Sequence, residues 1–292
     1  MPIPDVADGA DRSTGPAPGQ HRVAVLGYPA AHSLSPVIHR RGYELCGLED
    51  WRYDVVELRP AEVEGFLRSR DASWRGFSVT MPLKETVAAL GVPDPLVERM
   101  HVANTLVIEP HPGGPVRRVY NTDVGGLVDA VTGTGLPAPR SAVVIGSGAT
   151  ALSAVVALGS LGARVVVAAR DERKAALLAA RGDDLGVATD TTVWGTFPSC
   201  DTVVSTVPSA GVGPHVRAVL DAGPRLVFDV IYDPWPTPLA TAAAQAGAAV
   251  LSGLDLLVHQ ATAQFRLFTG RSVPAAPLLL AVRAEAARRT AT

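Results

Sequence analysis

The chain has 292 residues, enough for two domains of ordinary size, and 47% of them are hydrophobic. Its net charge of -2, with arginines scattered rather than clustered, excludes an electrostatic footprint for nucleic acid or a membrane surface. Cys46 and Cys200 lie far apart without a CxxC. That excludes a zinc ribbon or a disulfide framework and fits a reducing, cytoplasmic compartment.

Residues 1–20 are rich in Pro, Gly and Asp and are expected to form a disordered tail. They lack the basic start and apolar core of a signal peptide. Val23–Leu26 is a short apolar strand ending at Gly27. Ser35 followed by Pro36 predicts a helix start, with Ser35 as N-cap, and the helix runs to Cys46 and stops at Gly47. Trp51–Leu58 alternates like a strand, Pro60–Arg70 has a helical pattern, and Gly76–Thr80 is again a strand. Two further strands, Asn104–Ile108 and Val116–Tyr120, flank the turn cluster His111-Pro-Gly-Gly-Pro115. This alternation defines an α/β domain over 21–121.

A second α/β unit follows over 122–255. Ala142–Ile145, Arg164–Ala169, Thr202–Val207, Leu226–Ile231 and Ala249–Leu251 are continuous apolar runs, as parallel strands buried on both faces require. Thr150–Leu161 is a helix. The end of the chain, 254–289, is helical with one break over 270–277.

Gly146-Ser147-Gly148-Ala149-Thr150-Ala151 fits G-x-G-x-x-G/A between a strand and a helix. Glycine permits a tight turn and close approach to a pyrophosphate, and the helix start supplies N–H donors. The next strand ends at Arg170, which suits a ribose 2′-phosphate and favours NADP over NAD. Lys174, four residues on, can face the same phosphate if a helix begins there. Asp171 counts against this, since it would repel a 2′-phosphate.

Lysine is rare: Lys84 and Lys174 are the only two among 26 basic residues. A lysine can exchange its proton near neutral pH where arginine cannot. Lys84 follows a strand in an apparent loop, so it is either a solvated side chain or an acid/base. His32-Ser33-Leu-Ser35, Ser78-Val-Thr80, Asn104-Thr105, Asn121-Thr122-Asp123 and His259-Gln260 add hydroxyls, amides and one carboxylate. That inventory suits a polyhydroxylated carboxylic acid. No metal-ligand spacing and no nucleophile–histidine arrangement is present.

The chain resembles the shikimate dehydrogenase family over nearly everything after residue 20. The likeness rests on Gly27-Tyr-Pro29, His32-Ser33-Leu-Ser35-Pro36, Val79-Thr80-Met-Pro82 with Lys84, Asn104-Thr105, Asn121-Thr122-Asp123, the glycine loop, Tyr232-Asp-Pro-Trp-Pro-Thr237-Pro238-Leu239, and Gln260-Ala261 with Phe268-Thr-Gly270. The resemblance implies reduction of 3-dehydroshikimate to shikimate with NADPH. It implies an N-terminal α/β substrate domain, a Rossmann-like NADP-binding domain, and C-terminal helices (about 256–292) returning to the first. It assigns Lys84 and Asp123 to catalysis. Ser33, Ser35, Thr80, Asn104, Gln260 and Tyr232 go to the substrate, and Gly146, Ser147, Gly148, Ala149, Arg170, Lys174 and Gly253 to the cofactor. A monomer or homodimer is expected, with no nucleic-acid or membrane partner. The family usually has Asn at Ser78, Asn at Ala169 and a small hydroxyl residue at Asp171. Quinate-oxidising relatives often have Thr at Ser35, so serine favours shikimate.

Overall fold

Residues 20–290 are described in the structure, a computed structural model. The tail expected over 1–20 lies outside them, Gln20 apart. In chain order the first domain contains β1 (His21–Gly27), α1 (Ser35–Cys46), β2 (Trp51–Glu57), α2 (Pro60–Arg68), β3 (Trp74–Val79), α3 (Lys84–Ala88), β4 (Val92–Pro93), α4 (Pro95–Met100), β5 (Thr105–Glu109) and β6 (Val116–Tyr120). Its sheet runs β2-β1-β3-β5-β6-β4. β1 pairs in parallel with β2 and β3, and β3, β5 and β6 pair antiparallel.

The second domain contains α5 (Asp123–Thr132), β7 (Ser141–Ile145), α6 (Ala149–Ser160), β8 (Arg164–Ala168), α7 (Glu172–Asp184), β9 (Thr189–Thr192), β10 (Thr202–Ser205), α8 (Ser209–Val212), α9 (Val216–Asp221), β11 (Leu226–Asp229), α10 (Pro238–Gln245) and β12 (Ala249–Ser252). Every pairing in this sheet is parallel, in the order β12-β11-β10-β7-β8-β9. That is the doubly wound dinucleotide-binding order, with its switch point between β7 and β10. Ligands in such sheets bind beyond the carboxyl ends of the strands at that point.

Two helices close the chain, α11 (Gly253–Thr269) and α12 (Ala275–Thr290). They return to the first domain. Val23 and Val25 of β1 pack with Leu34 just before α1, Ile38 of α1, Val258 and Phe265 of α11, and Val282 of α12. The alternate residues Ala24 and Leu26 face the other side, with Val63 and Leu67 of α2 and Val87 of α3. The period-2 alternation of a strand thus feeds two cores from one segment. No helix among the described residues is long and apolar enough to cross a membrane.

Three local expectations are corrected. The N-cap of α1 is Leu34, which makes no side-chain capping bond, and Ser35 is already inside the helix. A proline in the first turn lacks an N–H that would be unpaired there anyway, so it marks a helix start without fixing which residue caps it. Lys84 is not in a loop: it opens the short helix α3. The final break covers only 270–274, because Pro277 falls in the first turn of α12, where proline is tolerated.

Candidate active site

The site forms where loops at the ends of β1, β3, β5 and β6 meet the start of α6 and the face of α11. A cavity of about 280 Å³ is lined there by Ser33, Ser35, Ser78, Thr80, Lys84, Asn104, Asp123, Thr150, Tyr232, Gly253 and Gln260, among others. The structure therefore gathers the residues expected at catalysis and at the substrate. Gly253, expected at the cofactor, lines this cavity too. A Cβ there would collide with the Val230 carbonyl, so only glycine lets α11 start against the end of β11.

Lys84 Nζ donates to Asp123 Oδ2 at 2.5 Å, and their side chains are only 13% and 6% exposed. Asp123 opens α5, so its carboxylate also lies at a helix N-terminus. Asn121 accepts from the backbone N–H groups of Asp123 and Val124 and so fixes that helix start. Asn104 Nδ2 donates to Asp123 Oδ1 at 2.7 Å, while its Oδ1 accepts from Thr122 N at 2.8 Å and Thr105 Oγ1 at 2.9 Å. Gln260 Oε1 lies 3.2 Å from Asn104 Nδ2, and Gln260 Nε2 donates to the Leu257 carbonyl. One buried network thus connects α3, β5, α5 and α11.

At the far wall, Ser33 Oγ accepts from the Ser35 backbone N–H at 3.2 Å, which leaves the hydroxyl proton free to meet an anion. The loop carrying Ser33 is anchored by Glu57, whose carboxylate accepts from Ala30 N at 2.7 Å and Ala31 N at 3.0 Å. These two N–H groups hold the Glu57 carboxyl below its ordinary range. Ser78 Oγ accepts from Tyr53 and donates to Gln264 Oε1, each at 2.7 Å. Burial pushes the Tyr53 phenol well above its ordinary range.

A second cleft, of about 340 Å³, is lined by Gly146, Ser147, Arg170, Asp171, Lys174 and Val207, among others. Gly146 has φ 128°, open to glycine alone, and a Cβ on it would collide with Thr206 Oγ1 from the end of β10. Gly148 is the N-cap of α6 and supplies no side-chain cap, and Ala149 is the first helical residue. The first N–H groups of α6 are thus left to a ligand. Asp171 is the N-cap of α7 and accepts from Arg173 N at 3.1 Å and Lys174 N at 3.2 Å. The feared repulsion of a 2′-phosphate is thereby reduced, because the carboxylate is committed to backbone donors. Arg170 and Lys174 both line the cleft, so the residues present fit a dinucleotide with a charged 2′ substituent.

Sequence reasoning missed Thr150, Glu57, Tyr53 and Gln264. Only Gln264 carried a readable signal: it lies one helical turn beyond Gln260 on the same face of α11.

A strand–glycine loop–helix nucleotide cleft beside a buried lysine–carboxylate pair defines a nucleotide-dependent oxidoreductase. Comparison with known proteins specifies the family. A profile of the shikimate dehydrogenase substrate binding domain matches residues 25–106, and one of the shikimate 5′-dehydrogenase C-terminal domain matches residues 253–283. Shikimate dehydrogenase (NADP(+)) of Natronomonas pharaonis is 32% identical over 272 residues, covering 89% of this chain and 97% of its own length. Mycobacterium tuberculosis shikimate dehydrogenase superposes with a TM-score of 0.83 at 36% identity, covering 90% of this chain and 99% of that one. The Thermus thermophilus enzyme in complex with NADP(H) and shikimate gives 0.78 at 27% identity, covering 91% and 99%. The chain belongs to the shikimate dehydrogenase family.

Proposed function

We propose that the protein catalyses the reversible, NADP-dependent reduction of 3-dehydroshikimate to shikimate, a step of aromatic amino-acid biosynthesis. The observation that carries this reading is the buried Lys84–Asp123 pair in a cavity ringed by hydroxyls and amides. The substrate domain comprises 21–121 with about 256–292, and the cofactor domain 122–255. The enzyme works in the cytoplasm as a monomer or homodimer.

Bound NADPH supplies hydride to the carbonyl carbon. Gly146, Ser147, Gly148 and Ala149 hold its pyrophosphate, and Arg170 and Lys174 hold its 2′-phosphate. The Ser33 and Ser35 hydroxyls bind the ring acid's carboxylate, assisted by Tyr232. Thr80, Asn104 and Gln260 take the ring hydroxyls. Lys84, as an ammonium, gives one proton to the carbonyl oxygen as that oxygen becomes a hydroxyl. Asp123 stays ionised, holds Lys84 in place and balances its charge. In the oxidative direction the neutral amine takes the hydroxyl proton back.

Steady-state oxidation of shikimate, of quinate and of an aminated shikimate, each with NADP and with NAD, tests the reading. Shikimate with NADP is expected to give the highest kcat/KM. A clear preference for quinate or an aminated shikimate would reassign the substrate, and no turnover of any ring acid would favour a nucleotide-sensing role instead.

A further inference from the structure

We propose that Thr150, in the first turn of the cofactor-domain helix α6, is a positioning residue for the proton donor Lys84. This deepens the functional reading above and rests on it for the kinetic part of its test. Lys84 Nζ lies 3.4 Å from Thr150 Oγ1, a loose contact of a kind that tightens when a ligand closes the site. The ammonium has three donors. Asp123 takes one and Thr150 faces a second, which leaves one for the substrate oxygen.

A second contact comes from the same face of α6. Ser153, three residues on, accepts from Asn121 Nδ2 at 3.3 Å, and Asn121 holds the backbone N–H of Asp123. One turn of α6 therefore reaches both members of the pair, Lys84 directly and Asp123 through Asn121. That turn begins directly after the glycine loop, so a dinucleotide seated there is one peptide from the residue that touches Lys84.

The hydroxyl suits this place for a chemical reason. Asp123 can only accept, so it binds an N–H of Lys84 in either state but cannot donate to a lone pair on the nitrogen. When Lys84 has given its proton to the substrate oxygen, its nitrogen carries a lone pair. A hydroxyl that accepted from the ammonium can rotate and donate to the amine. No proton leaves Thr150, and solvent restores the one that Lys84 lost.

Thr150→Val keeps the shape and removes the hydroxyl, and Thr150→Ser keeps the hydroxyl. Thr150→Val is expected to lower kcat about threefold to tenfold, with KM for both substrates and the Kd for NADP within about twofold, while Thr150→Ser stays close to the parent. Wild-type kcat in Thr150→Val, or an equal loss in Thr150→Ser, overturns the proposal. A second readout needs no turnover. Because the chain has two lysines, Lys174 is an internal standard for acetic anhydride labelling of Lys84, followed by mass spectrometry. The Lys84:Lys174 labelling ratio is expected to rise about threefold in Thr150→Val and to hold in Thr150→Ser. An unchanged ratio in Thr150→Val overturns the proposal even if no ring acid proves to be a substrate, so the two readings fail separately.

Discussion

Asn104 donates to one oxygen of Asp123 at 2.7 Å while Lys84 occupies the other at 2.5 Å. The amide cannot rotate to invert this, because its carbonyl oxygen accepts from the Thr122 N–H, a group that can only donate. Asp123 is thus held from both sides in one orientation. A carboxylate fixed this way presents the same oxygen to Lys84 with no reorganisation.

Lys84→Ala should lower kcat by about two orders of magnitude or more, the usual scale for losing a general acid, with little change in KM. Lys84→Arg should remain impaired, since a guanidinium keeps the charge but does not exchange its proton near neutral pH. Steady-state kinetics of both variants check the claim, and near-normal kcat in either would remove Lys84 from the proton-transfer role.

Gly146→Ala places a Cβ against Thr206 and forces φ 128° on an L side chain. Backbone strain of this type costs about 1–3 kcal/mol. A lower urea midpoint and weaker NADP binding, by fluorescence titration, are expected together. Unchanged NADP affinity would show that this loop is not the pyrophosphate cradle.

Arg170→Ala should reduce kcat/KM with NADPH by about tenfold or more while leaving the NADH value nearly unchanged, because a hydrogen bond to a charged group is lost with one cofactor only. Asp171→Ala separates the capping role from the charge. It should cost about 1 kcal/mol of stability without improving NADPH use. A gain in NADPH affinity would show that Asp171 still repels the 2′-phosphate.

His39 is fully buried, stacked on Tyr53 at 4.3 Å between ring centroids. Neither ring nitrogen has a hydrogen-bond partner of good geometry among the described residues. Burial lowers its pKa from 6.5 to about 3, and the Gln264 side chain opposes this only in part. The folded state therefore holds His39 neutral while the unfolded chain protonates it below about 6.5. Its contribution to stability is complete above that pH and is lost progressively as pH falls towards 3. Urea denaturation of the protein and of His39→Phe at pH 7.5, 6 and 5 should show a shallower acid decline in the variant. Parallel declines would assign the acid sensitivity to other groups.

The apolar strands were legible because the central residues of β1, β7, β8, β10 and β11 are apolar and largely buried, with Arg22, Arg164 and Asp229 confined to the strand ends. β9, Thr189–Thr192, was not, since an edge strand needs no apolar run. Helix α3 spans five residues and is held by Leu83 and Val87 in the core, so no periodicity could announce it. The glycine loop was legible because backbone geometry demands glycine there. Lys84 stood out by rarity, yet its pairing with Asp123 joins residues 39 apart and was readable only through the family likeness. Thr150 was invisible because its neighbour Lys84 belongs to the other domain, and nothing local marks a contact between domains.

Helix α11 begins against the end of β11 and ends with Phe265 and Phe268 deep in the core of the first domain. During synthesis, β1 to β6 leave the ribosome more than a hundred residues before that wall of their core exists. The cofactor domain has its full sheet before then. The domain translated first is thus the last to be completed, and a chain interrupted after residue 252 leaves Val23, Val25 and Ile38 facing water. Quality-control proteases and chaperones would meet that face on each unfinished copy.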